Sequence, residues 1–274
     1  MSHALRYEVN CSILFTELPL LDRPAAAKAA GFDAVEYWWP FPSAVPADGA
    51  VDAFVTAVRD AGVQLVGLNF FAGDMPSGDR GLVSWTGRES EFRDNIAVTI
   101  GIGEQLGCQA FNALFGNRID GVEPERQDEL GTENLVLAAE AAARIEGTVL
   151  IEPVSGSPRY PLLTAADALG VIDRAQQASG ATNVGLLADL YHLAVNGDDV
   201  DAVIADHADW VAHVQIADHP GRGEPGTGSL PLDQQLAALE RGGFSGWVGL
   251  EYKPSGASAD SFEWVPRERR GSAA

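Results

Sequence analysis

The chain has 274 residues, of which 46% are hydrophobic, and these figures suit one large α/β domain with a sizeable core. Asp and Glu number 39 against 18 for Lys and Arg, and a net charge of −21 excludes nucleic acid as a partner, because a polyanion is repelled by that field. No apolar run reaches the length of a membrane span, the opening MSHALRYEVN is not a signal peptide, and Cys11 and Cys108 match no metal or redox spacing. We therefore expect a cytoplasmic protein with reduced thiols that acts on a small molecule and has no membrane partner. Assembly into a homo-oligomer stays open.

The predicted elements alternate between strand and helix along the whole chain. A first strand covers Tyr7 to Asn10. In the first half, a helical stretch then repeatedly ends at a glycine, a short apolar run follows, and the run closes on a polar residue. A glycine in that place is typical of a helix end, and such apolar runs are typical of strands buried on both faces of a parallel sheet. The runs of this kind end at Glu36, Asn69, Asn112 and Glu152.

Three more strands are predicted in the second half, and helices fill the gaps. The strands cover Ala181 to Asp189, Trp210 to Gln215 and Gly246 to Glu251. The helices cover Arg88 to Leu106, Pro124 to Ile145, Thr164 to Ala178, Asp198 to His207 and Leu232 to Arg241. The spacing of Thr86 and Glu89 predicts a capping box at the start of the first of them. Eight strands that alternate strictly with helices predict a single (β/α)8 TIM barrel over residues 1–274, with a short disordered tail from about 269 to 274.

A polar residue ends every predicted strand, and in a TIM barrel the carboxyl ends of the strands meet at the active site. The last four strands end at Glu152, Asp189, Gln215 and Glu251. Three carboxylates crowded at one mouth repel one another unless a positive charge lies between them. An all-oxygen ligand set favours Mg²⁺ or Mn²⁺ over Zn²⁺. We therefore predict one divalent metal held by these four side chains, and no nucleotide or organic cofactor.

Cationic side chains follow the same strand ends. His192 follows the sixth predicted strand, Arg222 lies in the Gly-rich loop after the seventh, and Lys253 follows the eighth. Three carboxylates and a divalent metal leave the site with about one negative charge, so a neutral sugar needs no further cation. An anionic substrate does, and Arg222 and Lys253 supply positive charge. By contrast, we interpret His207 and His213 as structural, because one lies in a helix and the other inside a strand.

Four segments at these strand ends carry a family resemblance. They are Ile151-Glu152-Pro153, Asp189-Leu190-Tyr191-His192, GRGEPGTG at 221–228 and Glu251-Tyr252-Lys253-Pro254. Together they resemble the hydroxypyruvate isomerase family of xylose isomerase-like TIM barrels, and the resemblance covers almost the whole chain. It implies conversion of hydroxypyruvate to tartronate semialdehyde, with Glu152 and Glu251 as the catalytic acid and base. The chain departs from the family pattern at Val154-Ser155, and Trp38-Trp39 and Phe70-Phe71 make its pocket wall unusually aromatic.

The chemistry expected from these residues is isomerisation through an enediolate. One glutamate removes a proton from the carbon next to a carbonyl, the other returns it at the neighbouring carbon, and the metal stabilises the enediolate. Asn69 and Glu224 are further candidates for substrate binding. Residues 72–87, which are rich in glycine and include Trp85, are predicted to form a lid that excludes water.

Other functions remain as alternatives. Within enzymes they are a 2-oxo-tetronate isomerase and a keto-sugar epimerase of the same superfamily, and outside them a barrel that only binds a sugar acid. An NAD(P)-dependent oxidoreductase is disfavoured. The segment GRGEPG has the spacing of a dinucleotide fingerprint, but it follows the seventh strand rather than the first, and no helix is expected before about Leu232.

Overall fold

The computed structural model describes residues 1–271. Within them, eight parallel strands close into a barrel in which neighbours pair in chain order and the last strand pairs with the first. The strands are β1 (Arg6–Asn10), β2 (Ala34–Tyr37), β3 (Gln64–Asn69), β4 (Ala110–Asn112), β5 (Thr148–Ile151), β6 (Val184–Asp189), β7 (Val211–Ile216) and β8 (Trp247–Leu250). The predicted (β/α)8 barrel is confirmed.

Helices connect the successive strands. They are α1 (Arg23–Ala29), α2 (Asp48–Ala61), α3 (Glu89–Leu106), α4 (Pro124–Ala143), α5 (Ala165–Ser179), α6 (Leu190–Asn196), α7 (Val200–His207) and α8 (Leu232–Arg241). Helix α2 buries Phe54, Val55 and Val58, whose spacing places them on the one side that faces the core. Over residues 1–271, none of the helices is both long enough and apolar enough to cross a bilayer.

The starts of two helices differ from the sequence-based expectation. Helix α3 begins at Glu89, and no side chain caps its first turn, so the predicted capping box at Thr86 is wrong. The capping box instead begins α5, where Thr164 accepts from the backbone of Asp167 and the Asp167 carboxylate accepts from the backbone of Thr164. Thr86 and Glu89 have the sequence spacing of a capping box, but Thr86 does not form the hydrogen bond of one.

Helix α6 was not predicted, and it begins directly at the end of β6. Asp189 caps it, because Asp189 Oδ1 accepts from the backbone N–H groups of Tyr191 at 2.8 Å and His192 at 3.2 Å. One carboxylate oxygen of Asp189 is therefore committed to the fold. The other oxygen is left to the barrel mouth.

Charged residues fill the barrel interior below that mouth. His213 Nε2 on β7 lies 2.8 Å from Glu36 Oε2 on β2 and 3.6 Å from Glu8 Oε1 on β1. Glycine makes room for them: a Cβ at Gly249 would lie 2.7 Å from Glu36 Oε1 and 2.9 Å from Glu8 Oε1. A Cβ at Gly67 would likewise lie 2.9 Å from Glu36 Oε2. The two glycines are thus required by buried carboxylates rather than by backbone conformation.

Burial and charge set the protonation of this cluster. Burial alone would lower the pKa of His213, but the hydrogen bonds and charges of Glu36 and Glu8 raise it to about 10. Burial and the charge of Glu36 raise the pKa of Glu8 well above its usual range. Burial acts in the same direction on Glu36, but the hydrogen bond and charge of His213 outweigh it and lower the pKa of Glu36. His213 is therefore charged at neutral pH, and it faces one glutamate whose pKa is lowered, Glu36, and one whose pKa is raised, Glu8.

The end of the described chain packs against the barrel. Arg269 Nη2 donates to the backbone oxygen of His3, and Arg270 donates to Ala30 O at 2.9 Å and Phe262 O at 2.7 Å. Arg269 and Arg270, which the prediction included in a disordered tail, are thus held by carbonyl oxygens that the sequence does not reveal as acceptors. Residues 272–274 lie outside the described residues.

Candidate active site

A cavity of about 1470 Å³ opens at the carboxyl ends of the strands. The predicted site residues that line it are Asn69, Glu152, His192, Arg222, Glu251 and Lys253. Asp189 and Gln215 are buried at the ends of β6 and β7, next to these residues. The barrel thus places the four predicted metal ligands at the ends of successive strands, and both predicted catalytic glutamates line the cavity.

Asp189, Glu152 and His192 form the tightest group at the mouth. One ligand atom from each lies within 4.8 Å of the others, and His192 Nε2 is 3.6 Å from Asp189 Oδ2 and 3.9 Å from Glu152 Oε1. Asp189 Oδ2 is buried and accepts no hydrogen bond from any described residue. A buried acceptor without a donor is costly, and a cation beside it would remove that cost.

His192 is oriented in a way that disfavours it as a metal ligand. Its Nδ1 accepts from the backbone N–H of Ser155 at 3.1 Å, and the Ser155 hydroxyl lies 2.6 Å from the same atom. The neutral ring therefore carries its proton on Nε2, which makes the nitrogen that faces Asp189 and Glu152 a donor. Ser155 lies where the chain departs from the family pattern, so this departure has a structural role beside the site.

Gln215 presents its amide oxygen to the mouth. Gln215 Nε2 donates to Glu36 Oε1 at 2.6 Å, and Gln215 Oε1 is buried without a donor in the described part of the chain. Because Glu36 accepts from the amide nitrogen, the orientation of the carboxamide is determined, and the free atom is an oxygen. Such an oxygen suits a hard divalent cation.

Glu251 is held from several sides. Glu251 Oε2 accepts from Asn10 Nδ2 at 2.7 Å and from Trp38 Nε1 at 3.2 Å, while Oε1 accepts from Arg222 Nη2. Arg222 Nη2 also lies 3.8 Å from Asp189 Oδ2. The sequence analysis expected Arg222 to meet the substrate, but in this structure its guanidinium neutralises two site carboxylates. Arg222 occupies this place because its loop runs back over the mouth, where its carbonyl oxygen accepts from the Lys253 N–H at 2.7 Å.

Burial shifts the pKa values of the titratable side chains at the mouth toward their neutral forms. Burial and the negative charges of Glu251 and Asp189 raise the pKa of Glu152 well above its usual range. Burial raises the pKa of Glu251 to about 8, although Arg222 opposes the rise. Burial lowers the pKa of His192 to about 4, so His192 is neutral at physiological pH. Two glutamates with raised pKa values lie beside buried oxygens of Asp189 and Gln215 that accept no hydrogen bond from the described residues. The chemistry of this donor set fits a divalent cation.

Two predicted substrate-binding residues lie differently from expectation. Glu224 Oε1 accepts from Ser255 N at 2.7 Å and Ser255 Oγ at 2.9 Å, so Glu224 ties the loop after β7 to the loop after β8 and does not line the cavity. Lys253 lines the cavity but is exposed. Strand β8 ends at Leu250, so the strand alternation that was expected to align Lys253 with Glu251 does not apply.

The GRGEPGTG loop is built around Asp218 rather than around a ligand phosphate. Asp218 Oδ2 accepts from Gly226 N at 2.8 Å, and Asp218 Oδ1 accepts from Leu230 N at 3.0 Å. The next helix begins only at Leu232, as expected. The loop amides used here are not free to cradle a dinucleotide.

Comparison with known proteins identifies the class that this fold and site define. Residues 24–268 match the family model described as the xylose isomerase-like TIM barrel. The chain belongs to this family.

Comparison with curated proteins shows which members of the family the chain is similar to. The chain is 56% identical to a Streptomyces coelicolor protein provisionally named a hydroxypyruvate isomerase, over 97% of both chains. It is 32% identical to the hydroxypyruvate isomerase of Escherichia coli, over 95% of this chain and 98% of that protein. It is also 32% identical to the 2-oxo-tetronate isomerase of Cupriavidus necator, over 95% of this chain and 97% of that protein. These relatives confirm the family resemblance and the isomerase class expected from the sequence.

Solved structures agree on the fold. A Brucella melitensis protein described as an AP endonuclease of family 2 is 31% identical, with a TM-score of 0.85 over 97% of this chain and 99% of that one. The 3-keto-D-glucoside 4-epimerase of E. coli is 20% identical, with a TM-score of 0.73 over 94% of this chain and 98% of that one. At that identity the second likeness shows the barrel alone.

Proposed function

We propose that this chain is a metal-dependent isomerase that interconverts hydroxypyruvate and tartronate semialdehyde. One observation carries the proposal: two buried glutamates, Glu152 and Glu251, have raised pKa values on either side of unpartnered oxygens of Asp189 and Gln215. Such a set provides both proton transfer and a metal site in one place. The names of the relatives support the choice of substrate class, and the charge of −21 disfavours DNA as a partner.

The proton transfers follow from the position of the glutamates. One carboxylate removes a proton from C3 of hydroxypyruvate, which gives an enediolate. The proton of the C3 hydroxyl then passes to the C2 oxygen, and the second glutamate delivers a proton to C2, which leaves the aldehyde at C3. Burial raises the pKa of both groups, to about 8 for Glu251, and a carboxyl group with a raised pKa can act as base in one step and acid in the next. When bound, a divalent metal polarises the substrate carbonyl and lowers the energy of the negative charge that forms. His192, neutral with its proton on Nε2, donates a hydrogen bond toward the mouth and steadies the hydroxyl oxygen of the substrate.

A relative supports a second candidate substrate. The 2-oxo-tetronate isomerase of Cupriavidus necator is as similar to this chain, at 32% identity, as the E. coli hydroxypyruvate isomerase is. A four-carbon 2-oxo acid would use the same carboxylates and cations and would occupy more of the cavity. The reaction type is unchanged, so 2-oxo-tetronate is the second substrate to assay.

Metal dependence is the experiment that tests this proposal. Chelation followed by dialysis should abolish the turnover of hydroxypyruvate, and Mg²⁺ or Mn²⁺ should restore it. D189A should weaken Mn²⁺ binding by about 100-fold or more, measured by calorimetry, because the substitution removes the buried oxygen at the mouth that accepts no hydrogen bond from the described residues. D206A removes an exposed acid from α7 and should bind Mn²⁺ as the wild type does. Full activity in metal-free protein would refute the proposal.

A further inference from the structure

One arginine of the cavity wall has no role in the site described so far. Arg80 lies in the loop between β3 and α3, half-buried, and lines the cavity. Its Nη1 donates to Met75 O at 3.0 Å and to Asp79 O at 2.6 Å. Its Nε and Nη2 meet no acceptor among residues 1–271, and no carboxylate pairs with it there. The guanidinium is anchored by one nitrogen and leaves one edge unused.

Other cations of the cavity are already engaged. Arg88 lies 2.7 Å from both Asp79 Oδ2 and Glu91 Oε1, and Arg222 is bonded to Glu251. Lys253 is exposed, so water and salt screen its charge. Arg23 also lines the cavity, but its Nε donates to Leu18 O at 3.0 Å and its Nη1 to Cys11 O at 2.8 Å. Among the cavity arginines of residues 1–271, Arg80 is thus the one that keeps both Nε and Nη2 without an acceptor.

Arg80 and the reacting centre share one cavity. Arg80 lines it together with His192, Glu152 and Glu251. The cavity therefore connects the free edge of Arg80 with the two glutamates. The charges of Arg80 and Arg222 come from different loops, after β3 and after β7, so they approach the mouth from different sides.

We propose that Arg80 binds the carboxylate of the substrate, which makes it the specificity-determining residue for an anionic 2-oxo acid; this inference rests on the proposed function. The Nε and Nη2 groups of an arginine present two parallel N–H bonds that match the two oxygens of a carboxylate. Because Nη1 is held by two carbonyl oxygens, the free edge is fixed before the ligand arrives, and less entropy is lost on binding.

The assignment also gives the predicted lid a chemical function. Residues 72–76 and Arg80 belong to the Gly-rich segment expected to cover the site, and they line the cavity. A carboxylate bound to Arg80 would tie this segment to the substrate, so an anion would hold the loop over the mouth and a neutral ketose would not. Selectivity for anions would then arise in the loop after β3, which the strand-end motifs do not include.

The test compares an anionic ligand with a neutral one of the same carbon skeleton. Dihydroxyacetone differs from hydroxypyruvate by a hydroxymethyl group in place of the carboxylate. R80M should raise the KM for hydroxypyruvate by roughly 10- to 150-fold, the usual cost of a lost charged hydrogen bond, with a smaller change in kcat. Inhibition by dihydroxyacetone should stay the same. R80K keeps the charge and should recover part of the affinity, and K253M should have a smaller effect than R80M.

A control and a binding measurement separate the outcomes. R59M removes one positive charge from the exposed surface of α2 and should leave the KM unchanged. Equal weakening of hydroxypyruvate and dihydroxyacetone by R80M would mean that the loop itself is damaged, and it would overturn the assignment, as would an unchanged KM. Calorimetric titration of wild type and R80M with hydroxypyruvate distinguishes the two proposals. If hydroxypyruvate binds to the wild type more tightly than to R80M but is not converted, the isomerase proposal is refuted and the role of Arg80 in binding the carboxylate stands. If hydroxypyruvate is converted and binds equally to both proteins, the role of Arg80 is refuted and the isomerase proposal stands.

Discussion

E152Q and E251Q should each lower the kcat for hydroxypyruvate by about 10² or more, the usual contribution of general acid–base catalysis. Each change nearly preserves the shape of the side chain and removes its ability to take up and return a proton. Both glutamates are buried at the barrel mouth, and burial is the largest cause of the rise in both pKa values. The two losses should be far from additive in the double variant, because both groups serve one proton-transfer sequence.

The measurement must separate proton transfer from metal binding, because both glutamates are also candidate ligands. Steady-state kinetics should therefore be paired with Mn²⁺ titrations followed by electron paramagnetic resonance. A variant that keeps most of its Mn²⁺ affinity but loses turnover has lost the acid–base function. E104Q changes an exposed glutamate on α3 in the same way and should behave as the wild type. Retention of turnover within about threefold in E152Q or E251Q would remove that residue from the catalytic pair.

H213L should lower the free energy of unfolding by about 3–5 kcal/mol, the usual cost of removing one partner from a buried ion pair. The substitution leaves the Glu36 carboxylate inside the barrel without a counter-charge, although Glu36 still accepts from Gln215 and Asn10. Adding E36Q to H213L should recover part of the loss, since a neutral amide is cheaper to bury than an unpaired carboxylate. Urea unfolding at pH 7 measures the differences.

The pH dependence of this loss has a defined sign. The folded-state pKa of His213 is raised to about 10, so its stabilising contribution is fully present below its ordinary pKa of 6.5 and is lost as pH rises through about 10. The difference in unfolding free energy between wild type and H213L should therefore shrink as the pH is raised from 7 to 10.5. A difference that does not change over this range would mean that His213 is not charged in the folded protein.

The placement of the site was predictable from the sequence because it depends on strand ends. A polar residue that directly follows a buried apolar run, as Glu152 and Asp189 do, has its backbone position determined by the strand before it. In a closed parallel barrel these ends meet by topology alone. The family segments around Glu251 and Arg222 agree with that geometry. The candidate metal ligands and both candidate catalytic glutamates were thus proposed from contiguous patterns, and none of these patterns requires knowledge of a tertiary contact.

Other features of the barrel interior and of the cavity could not be predicted, because they depend on contacts between distant parts of the chain. Glu8 and His213 lie inside strands, where a polar residue has no periodic signal of its function, although glycines at Gly67 and Gly249 hint at large neighbours across the barrel. The pairing of Arg222 with Glu251 depends on how a Gly-rich loop turns back. Arg80 was missed for the same reason, because nothing local in a long irregular loop indicates which cation stays without a carboxylate.

One measurement tests the central claim most directly: NMR of the wild-type enzyme turning over hydroxypyruvate in D₂O with Mg²⁺ or Mn²⁺. Proton removal by one glutamate and return by another pass through groups that exchange with solvent. We therefore expect deuterium at C2 of tartronate semialdehyde and at C3 of the hydroxypyruvate that remains, with no labelling in E152Q or E251Q above the rate of an enzyme-free control. Product that forms at the full rate without deuterium at C2 would indicate a direct hydride shift and would contradict the proton-transfer role of Glu152 and Glu251.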